Sequence, residues 1–375
     1  MSTPPTEQQA LSTEVDRFAQ RSVEPAAARP EAPLSRGALA ALLAEAEALG
    51  LAGSDEEPSG LAPWEALEKD VGLGGTLAVL ARLSRANTAL AFVVHQRALG
   101  RVVARLTGLE RLVDGPLAIA PQGGYGLGRL GLVRALLGAP LDAEDRALLA
   151  DVYARDAVRV LPLDPGFAGL LTPCVDADGA LRWQLHARAQ LEVSVHPHAH
   201  GLDELETAEV RPREPGTLDA LPREASLARV TEAVLAHQLA LVALSLGAVE
   251  RAHAQARRYA AQRHQGGATI DRHDAVLGLL GRGSTTLHGC RAQLDGLSAR
   301  PLGLDALPRV LGLRARAQPE LADAANGALQ AFGGLGYMKD TGAEKVVRDV
   351  NSLRALAGSP RELTLMVAEC ERLHD

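Results

Sequence analysis

Two short segments carry the residue types that could cradle a phosphate or pyrophosphate. Gln330-Ala-Phe-Gly333-Gly334-Leu-Gly336-Tyr337 puts a polar amide one turn before a glycine pair at a helix end. Glycines without a Cβ let a ligand approach the backbone. In Tyr259-Ala-Ala-Gln-Arg263-His-Gln265-Gly-Gly267-Ala-Thr-Ile270, Arg263 offers a planar cationic fork suited to a pyrophosphate. The plain alternative is a glycine-rich helix stop and a solvated arginine. Other chemical signals are weaker. Gly126-Leu-Gly128-Arg-Leu-Gly131 matches GxGxxG, but a dinucleotide fingerprint needs a strand–helix–strand unit around it. Pro197 and Gly201 make His196-Pro-His198-Ala-His200 read as a loop and not a metal-binding strand face. Cys290 lies two residues from His288, a spacing that does not bring side chains together on a helix. Asp55-Glu56-Glu57 and Asp203-Glu-Leu-Glu206 read as solvated turns.

The elements that must position these residues fall into three segments, 1–117, 118–215 and 216–375. The first reads as helical: Leu11 to Gln20, Leu39 to Gly50 with glycine as its stop, and two helices between Val71 and Gly108. The second has short apolar runs at Pro116–Ala120, Ala157–Leu163, Leu181–Leu185 and Leu191–Val195. Asp176-Ala-Asp-Gly179 is a turn signal between two strand-like runs. One helical stretch, Asp142–Tyr153, interrupts this β-rich part. The third predicts long helices over Ser226–Arg263, Asp271–Leu294 and Pro319–Phe332. A further one, Asn351–Glu371, is broken at Gly358-Ser-Pro360. Together they suggest an antiparallel bundle.

That order, and the two phosphate-type motifs, resemble the acyl-CoA dehydrogenase family. Its pattern of Gln, two apolar residues, Gly-Gly, any, Gly-aromatic, then Glu and Arg-Asp is matched at Gln330 to Tyr337, Glu344 and Arg348-Asp349. Tyr259 to Ile270 is similar to its Tyr-Ala-x-x-Arg-x-Gln-Phe-Gly-x-x-Ile segment. The resemblance is strong over about 226–360, moderate over 67–110 and poor over 120–200. It implies a mainly α fold with a small β domain: an N-terminal helical domain, a middle β-barrel-like domain and a C-terminal four-helix bundle. It also implies FAD, with Arg263, Gln265, Gln330, Gly333, Gly334 and Ser359 as cofactor contacts, most of them reaching the flavin of a neighbouring subunit. The implied reaction is α,β-dehydrogenation of an acyl-CoA thioester. An electron-transfer flavoprotein would take the electrons, and the assembly would be a homo- or hetero-oligomer.

The resemblance breaks where proton transfer belongs. The family's usual Glu, nine residues past the Arg of Arg-Asp, falls on Ala357, and a methyl group accepts no proton. Some members carry the Glu 26 residues before the Arg of the Tyr-Ala-x-x-Arg motif. That position is His237 here, and Gly247 supports the register. A neutral imidazole could serve as the base, or His237 could simply be packed within the helix. In the middle domain the family's Thr-Glu-Pro-x-x-Gly-Ser is replaced by Ala120-Pro121-Gln122-Gly123-Gly124-Tyr125-Gly126, without its hydroxyls. Its Trp-Ile-Thr segment would fall near Leu148-Leu149-Ala150. Three readings stay open: a flavoprotein subunit using His237, a catalytically degenerate partner in a heteromeric dehydrogenase, and a flavin-free protein on the same fold. Heteromeric members with unequal subunits are known in the family, some acting on steroid side chains.

Composition narrows the setting. The 375 residues carry a net charge of −7, and aromatics are 3%. Both argue against a nucleic-acid surface, which needs cations and stacking faces. Three distant cysteines, Cys174, Cys290 and Cys370, form no disulfide framework and suit a reducing cytoplasm. No signal peptide or transmembrane stretch is expected.

Overall fold

The computed structural model describes residues 7–29, 32–52, 64–69, 71–121, 129–153, 159–197 and 200–374. Helices α1 (Glu7–Phe18), α2 (Arg36–Ala48), α3 (Gly74–Ala86) and α4 (Thr88–Thr107) come first. Ser35 caps α2 by accepting from the Ala38 amide at 3.2 Å, and Asn87 caps α4 by accepting from the Leu90 amide at 2.9 Å. Gly108 ends α4 at φ 74°.

The chain then forms two small sheets. Strand β1 (Leu117–Ile119) is followed by helices α5 (Arg129–Leu136) and α6 (Ala143–Tyr153). Next come β2 (Arg159–Leu163), β3 (Gly169–Val175), β4 (Leu181–Ala187), β5 (Leu191–Val195), β6 (Glu206–Pro212) and β7 (Thr217–Leu218). The sheet orders are β1-β3-β4-β7 and β2-β6-β5. The turn at Asp176–Gly179 closes the β3–β4 hairpin, with Gly179 at φ 76°. Leu148, Leu149 and Ala150 lie in α6, within the helical stretch expected over Asp142–Tyr153. Strand β6 follows directly on the stretch read as a solvated turn.

Helices α7 (Arg223–Gln262), α8 (Asp274–Ser298), α9 (Leu307–Ala331), α10 (Ala343–Ala355) and α11 (Pro360–His374) complete the fold. Helix α9 starts twelve residues before Pro319, which sits inside it. A proline marks a helix start in sequence but can be carried internally when neighbouring helices hold it. Helix α7 is the central post. By length and mean hydropathy (1.6) it could cross a membrane, but 94% of its most apolar window is buried inside the protein. Gly247 explains its fit against α3: a Cβ there would lie 2.0 Å from the Ala81 carbonyl oxygen.

A buried ionic clamp ties the β region to α10. Lys345 Nζ lies 2.7 Å from Asp349 Oδ2 and 3.1 Å from Glu204 Oε2. Asn87 Nδ2 donates to Glu204 Oε1 at 2.9 Å, and the Leu202 amide donates to Asp349 Oδ1 at 2.7 Å. Arg348 joins Glu344 to Asp203. The Asp203–Glu206 segment is therefore not a solvated turn. Glu204 is buried because a buried ammonium needs its carboxylate.

Candidate functional site

The first constellation is a groove at one end of the bundle. Helix α7 ends at Arg263, and a two-residue hairpin follows (His264–Gln265 with Ala268–Thr269). Gly266 and Gly267, at φ 61° and 86°, make its turn. Helix α9 ends nearby, and Phe332 packs on Tyr259 with ring centroids 4.9 Å apart. Arg263, Gln265, Gln330, Gly333 and Gly334 all line this groove of about 840 Å³. Gly333 adopts φ 60°, a backbone state that favours glycine. No atom lies within 4 Å of where a Gly334 Cβ would stand, so the backbone is open to a ligand. Arg263 is exposed and makes no ion pair among the described residues. A free guanidinium beside open glycine backbone is the donor set a pyrophosphate needs, so these residues fit that part of FAD.

Ser359 lies elsewhere. Its hydroxyl accepts from the Glu362 amide at 3.3 Å, and its own amide donates to Glu362 Oε2 at 2.7 Å. This reciprocal capping box starts α11.

The second constellation is a small pocket between the β region and the bundle, about 20 Å³, with room for about one water. Phe92, Ile119, Ala120, Leu161 and Leu356 supply apolar wall. Both positions at which the family pattern would put a base, Ala357 and His237, line it. Ala357 is held at φ 52°; Gln238 Nε2 donates to its carbonyl at 2.8 Å. Arg314, fully buried, donates to the carbonyls of Leu353 (2.6 Å) and Leu356 (3.1 Å) just before it. Two strands reach this pocket, β1 through Ile119 and β2 through Leu161 and Pro162.

His237 is not isolated. Trp64 Nε1 lies 3.1 Å from His95 Nδ1, and His95 Nε2 lies 2.8 Å from His237 Nδ1. The two imidazoles stack at 5.0 Å with a 20° interplanar angle. Burial, then the charge on Arg314, pushes the His237 pKa down to about 3. Burial, then His237, pushes His95 well below its ordinary value. Both rings are therefore neutral at pH 7. An indole N–H only donates, so His95 Nδ1 accepts, its proton sits on Nε2, and His237 Nδ1 accepts in turn. The remaining His237 proton is then on Nε2. In this state the ring has no free lone pair to act as a base.

Sequence reasoning found the groove residues and His237 but passed over Trp64, His95, Gln96 and Arg314. The available signal was a polar residue inside an apolar helical run, as in Val93-Val94-His95 and Leu311-Gly312-Leu313-Arg314. Of the weaker signals, Gly126 to Gly128 and His198 lie outside the described residues, and Arg129–Leu136 is helix. His196 sits 3.3 Å from Glu209, and no group of three or more metal-type ligands occurs among the described residues. Cys290 is buried while His288 is exposed, so they face opposite ways.

The two constellations are separated along α7 by about 39 Å at ~1.5 Å per residue. That exceeds an extended FAD, so one flavin cannot touch both within a single chain.

This architecture, helices then two small sheets then a helical bundle around a 40-residue post, is an α-rich fold of the acyl-CoA dehydrogenase type. Residues 227–369 match the family model "Acyl-CoA dehydrogenase, C-terminal domain". Butyryl-CoA dehydrogenase from Megasphaera elsdenii aligns over 100% of both chains at 13% identity with a TM-score of 0.71. A putative acyl-CoA dehydrogenase from Mycobacterium smegmatis aligns over 99% of both at 19% identity and 0.73. The prolyl acyl carrier protein oxidase AnaB aligns over 98% of this chain and 99% of its own at 16% identity and 0.70. No curated protein matches in sequence. The C-terminal bundle thus matches the acyl-CoA dehydrogenase C-terminal domain, and the whole chain has the fold of those enzymes.

Proposed function

We propose that the chain is one subunit of an oligomeric acyl-CoA dehydrogenase and supports a flavin seated mainly on a neighbouring family member. When bound, FAD supplies the hydride acceptor for α,β-dehydrogenation of an acyl-CoA thioester, and an electron-transfer flavoprotein takes the electrons. This chain's part is to hold the pyrophosphate with Arg263 and the open backbone at Gly333 and Gly334, helped by Gln265 and Gln330. The neighbour provides the proton acceptor. The observation that carries this reading is the contrast between the two constellations. The groove keeps a free guanidinium beside open glycine backbone. The cavity has Ala357 where a carboxylate is usual, and His237 has its accepting nitrogen already occupied. A flavin's polar edge would also find few partners among Ile119, Ala120, Leu161 and Leu356. The assembly would work in the cytoplasm.

The test is flavin content. Expressed alone, the chain should be colourless. Co-expressed with a genomically neighbouring acyl-CoA dehydrogenase-family subunit, it should co-purify with flavin, and that flavin should be reduced by an acyl-CoA. Stoichiometric flavin in the chain alone would overturn the reading.

A further inference from the structure

The small pocket between the β region and the bundle carries two polar groups that the proposed function leaves without a task. Phe92, Ile119, Leu161 and Leu356 give it apolar walls, and among its described lining residues only Gln96 and His237 have polar side chains. Gln96 is 3% exposed, and its Oε1 has no hydrogen-bond partner among the described residues. A buried amide oxygen left unpaired is costly and calls for a donor. His237 supplies the opposite need. Its Nδ1 accepts from His95, which leaves the Nε2–H as the donor side of a buried ring. The space is about 20 Å³, and one water needs ~10–15 Å³ with two or more polar partners. The pocket meets both conditions for one water and is too small for an acyl chain.

We propose that a single water is a fixed part of this pocket, accepting from His237 Nε2–H and donating to Gln96 Oε1, and that it closes this chain's own site to acyl ligands. The water extends into the pocket the polar line that runs from Trp64 through His95 to His237. An apolar chain entering here would expel it and strand an N–H and an amide oxygen against Phe92, Ile119, Leu161 and Leu356. Replacing an ordered water by a group that cannot reproduce its hydrogen bonds is unfavourable. In the assembly, acyl-CoA then occupies only the neighbour's site, one per pair of subunits. The count of one per pair rests on the proposed function; the water does not.

The water is read first, on the chain alone, with nitrogen-15-labelled histidine by NMR near pH 7. The proton on His237 Nε2, assigned by its loss in His237→Gln, should show a rotating-frame Overhauser contact to water. Its sign should be opposite to the diagonal, which separates contact from proton exchange. Gln96→Met keeps the bulk and removes the acceptor, so the contact should vanish. No contact in the wild type, or an undiminished one in Gln96→Met, overturns the water site. The wild-type reading decides the matter by itself should Gln96→Met fail to fold. Closure is read on the co-purified complex by equilibrium dialysis against radiolabelled butyryl-CoA. Binding should saturate at one butyryl-CoA per pair of subunits, and saturation at two per pair overturns the closure. The water is measured without flavin or partner, so its failure is separable from failure of the assembly reading, which flavin content decides.

Discussion

Lowering the pH should draw stability out of the His95–His237 pair, and the size of the effect can be worked from its burial. An unfolded imidazole takes up a proton near pH 6.5. In the native state His237 resists protonation down to about pH 3, and His95 is held well below its ordinary value. The unfolded chain therefore binds more protons between these limits. The contribution is fully present above pH 6.5 and is lost as pH falls toward the native values. At pH 4.5, two units below the unfolded pKa, His237 has forfeited about 2.7 kcal/mol at ~1.36 kcal/mol per unit. That alone is about half the lower end of the ~5–15 kcal/mol that holds a domain folded, and His95 shifts stability in the same direction. The assay is urea unfolding of the wild type and a His95→Phe/His237→Leu variant at pH 7.5, 6.5, 5.5 and 4.5. Between pH 5.5 and 4.5 the wild type should lose at least about 1.3 kcal/mol more than the variant. His253, whose pKa is also lowered by burial, and the carboxylates titrate in both proteins and cancel in the comparison. Equal pH slopes in the two proteins would refute the reasoning, because they would mean that the buried rings carry protons in the native state.

Three further outcomes follow from single contacts. Gly247→Ala drives a methyl to 2.0 Å from the Ala81 carbonyl oxygen, so α3 and α7 must separate; thermal or urea unfolding should show a loss of about 1–3 kcal/mol or more. Asp349→Ala strips the clamp of one carboxylate and leaves the Leu202 amide without its acceptor. Unfolding free energy should drop by about 3–5 kcal/mol, and Lys345→Met/Asp349→Leu should cost clearly less because no charge is left stranded. Arg263→Ala in the co-expressed assembly should weaken flavin retention about tenfold or more, read as flavin per protein after dialysis, since a charge-assisted contact is worth ~1.5–3 kcal/mol.

The helices were the legible part of the sequence. Apolar spacing and glycine or capping stops located α2, α3, α4 and α7 to within a few residues, because burial of one face leaves a periodic trace. Helix α9 was misplaced at its start because Pro319 looks like a first-turn residue when its neighbours cannot be seen. In the β region, β2 and β5 carried clear apolar runs. Strand β6, beginning at Glu206, was hidden by the charges of Asp203, Glu204 and Glu206, whose partners Arg348, Lys345 and Arg36 lie far away in the chain. The same distance effect governs the two constellations. The groove residues sit within two contiguous motifs and could be read together. The Trp64–His95–His237 chain joins residues 31 and 142 positions apart, and no local pattern announces it. Knowing only that His237 is a histidine leaves it as a base; knowing its partner makes it a donor.

The most direct measurement is the visible spectrum of this chain purified alone, set beside that of the same chain co-purified with a neighbouring family subunit. The account predicts no flavin band from the chain alone. It predicts a band near one flavin per pair from the complex, bleached by acyl-CoA. A flavin band near one per chain from the chain alone, bleached by acyl-CoA, would contradict it.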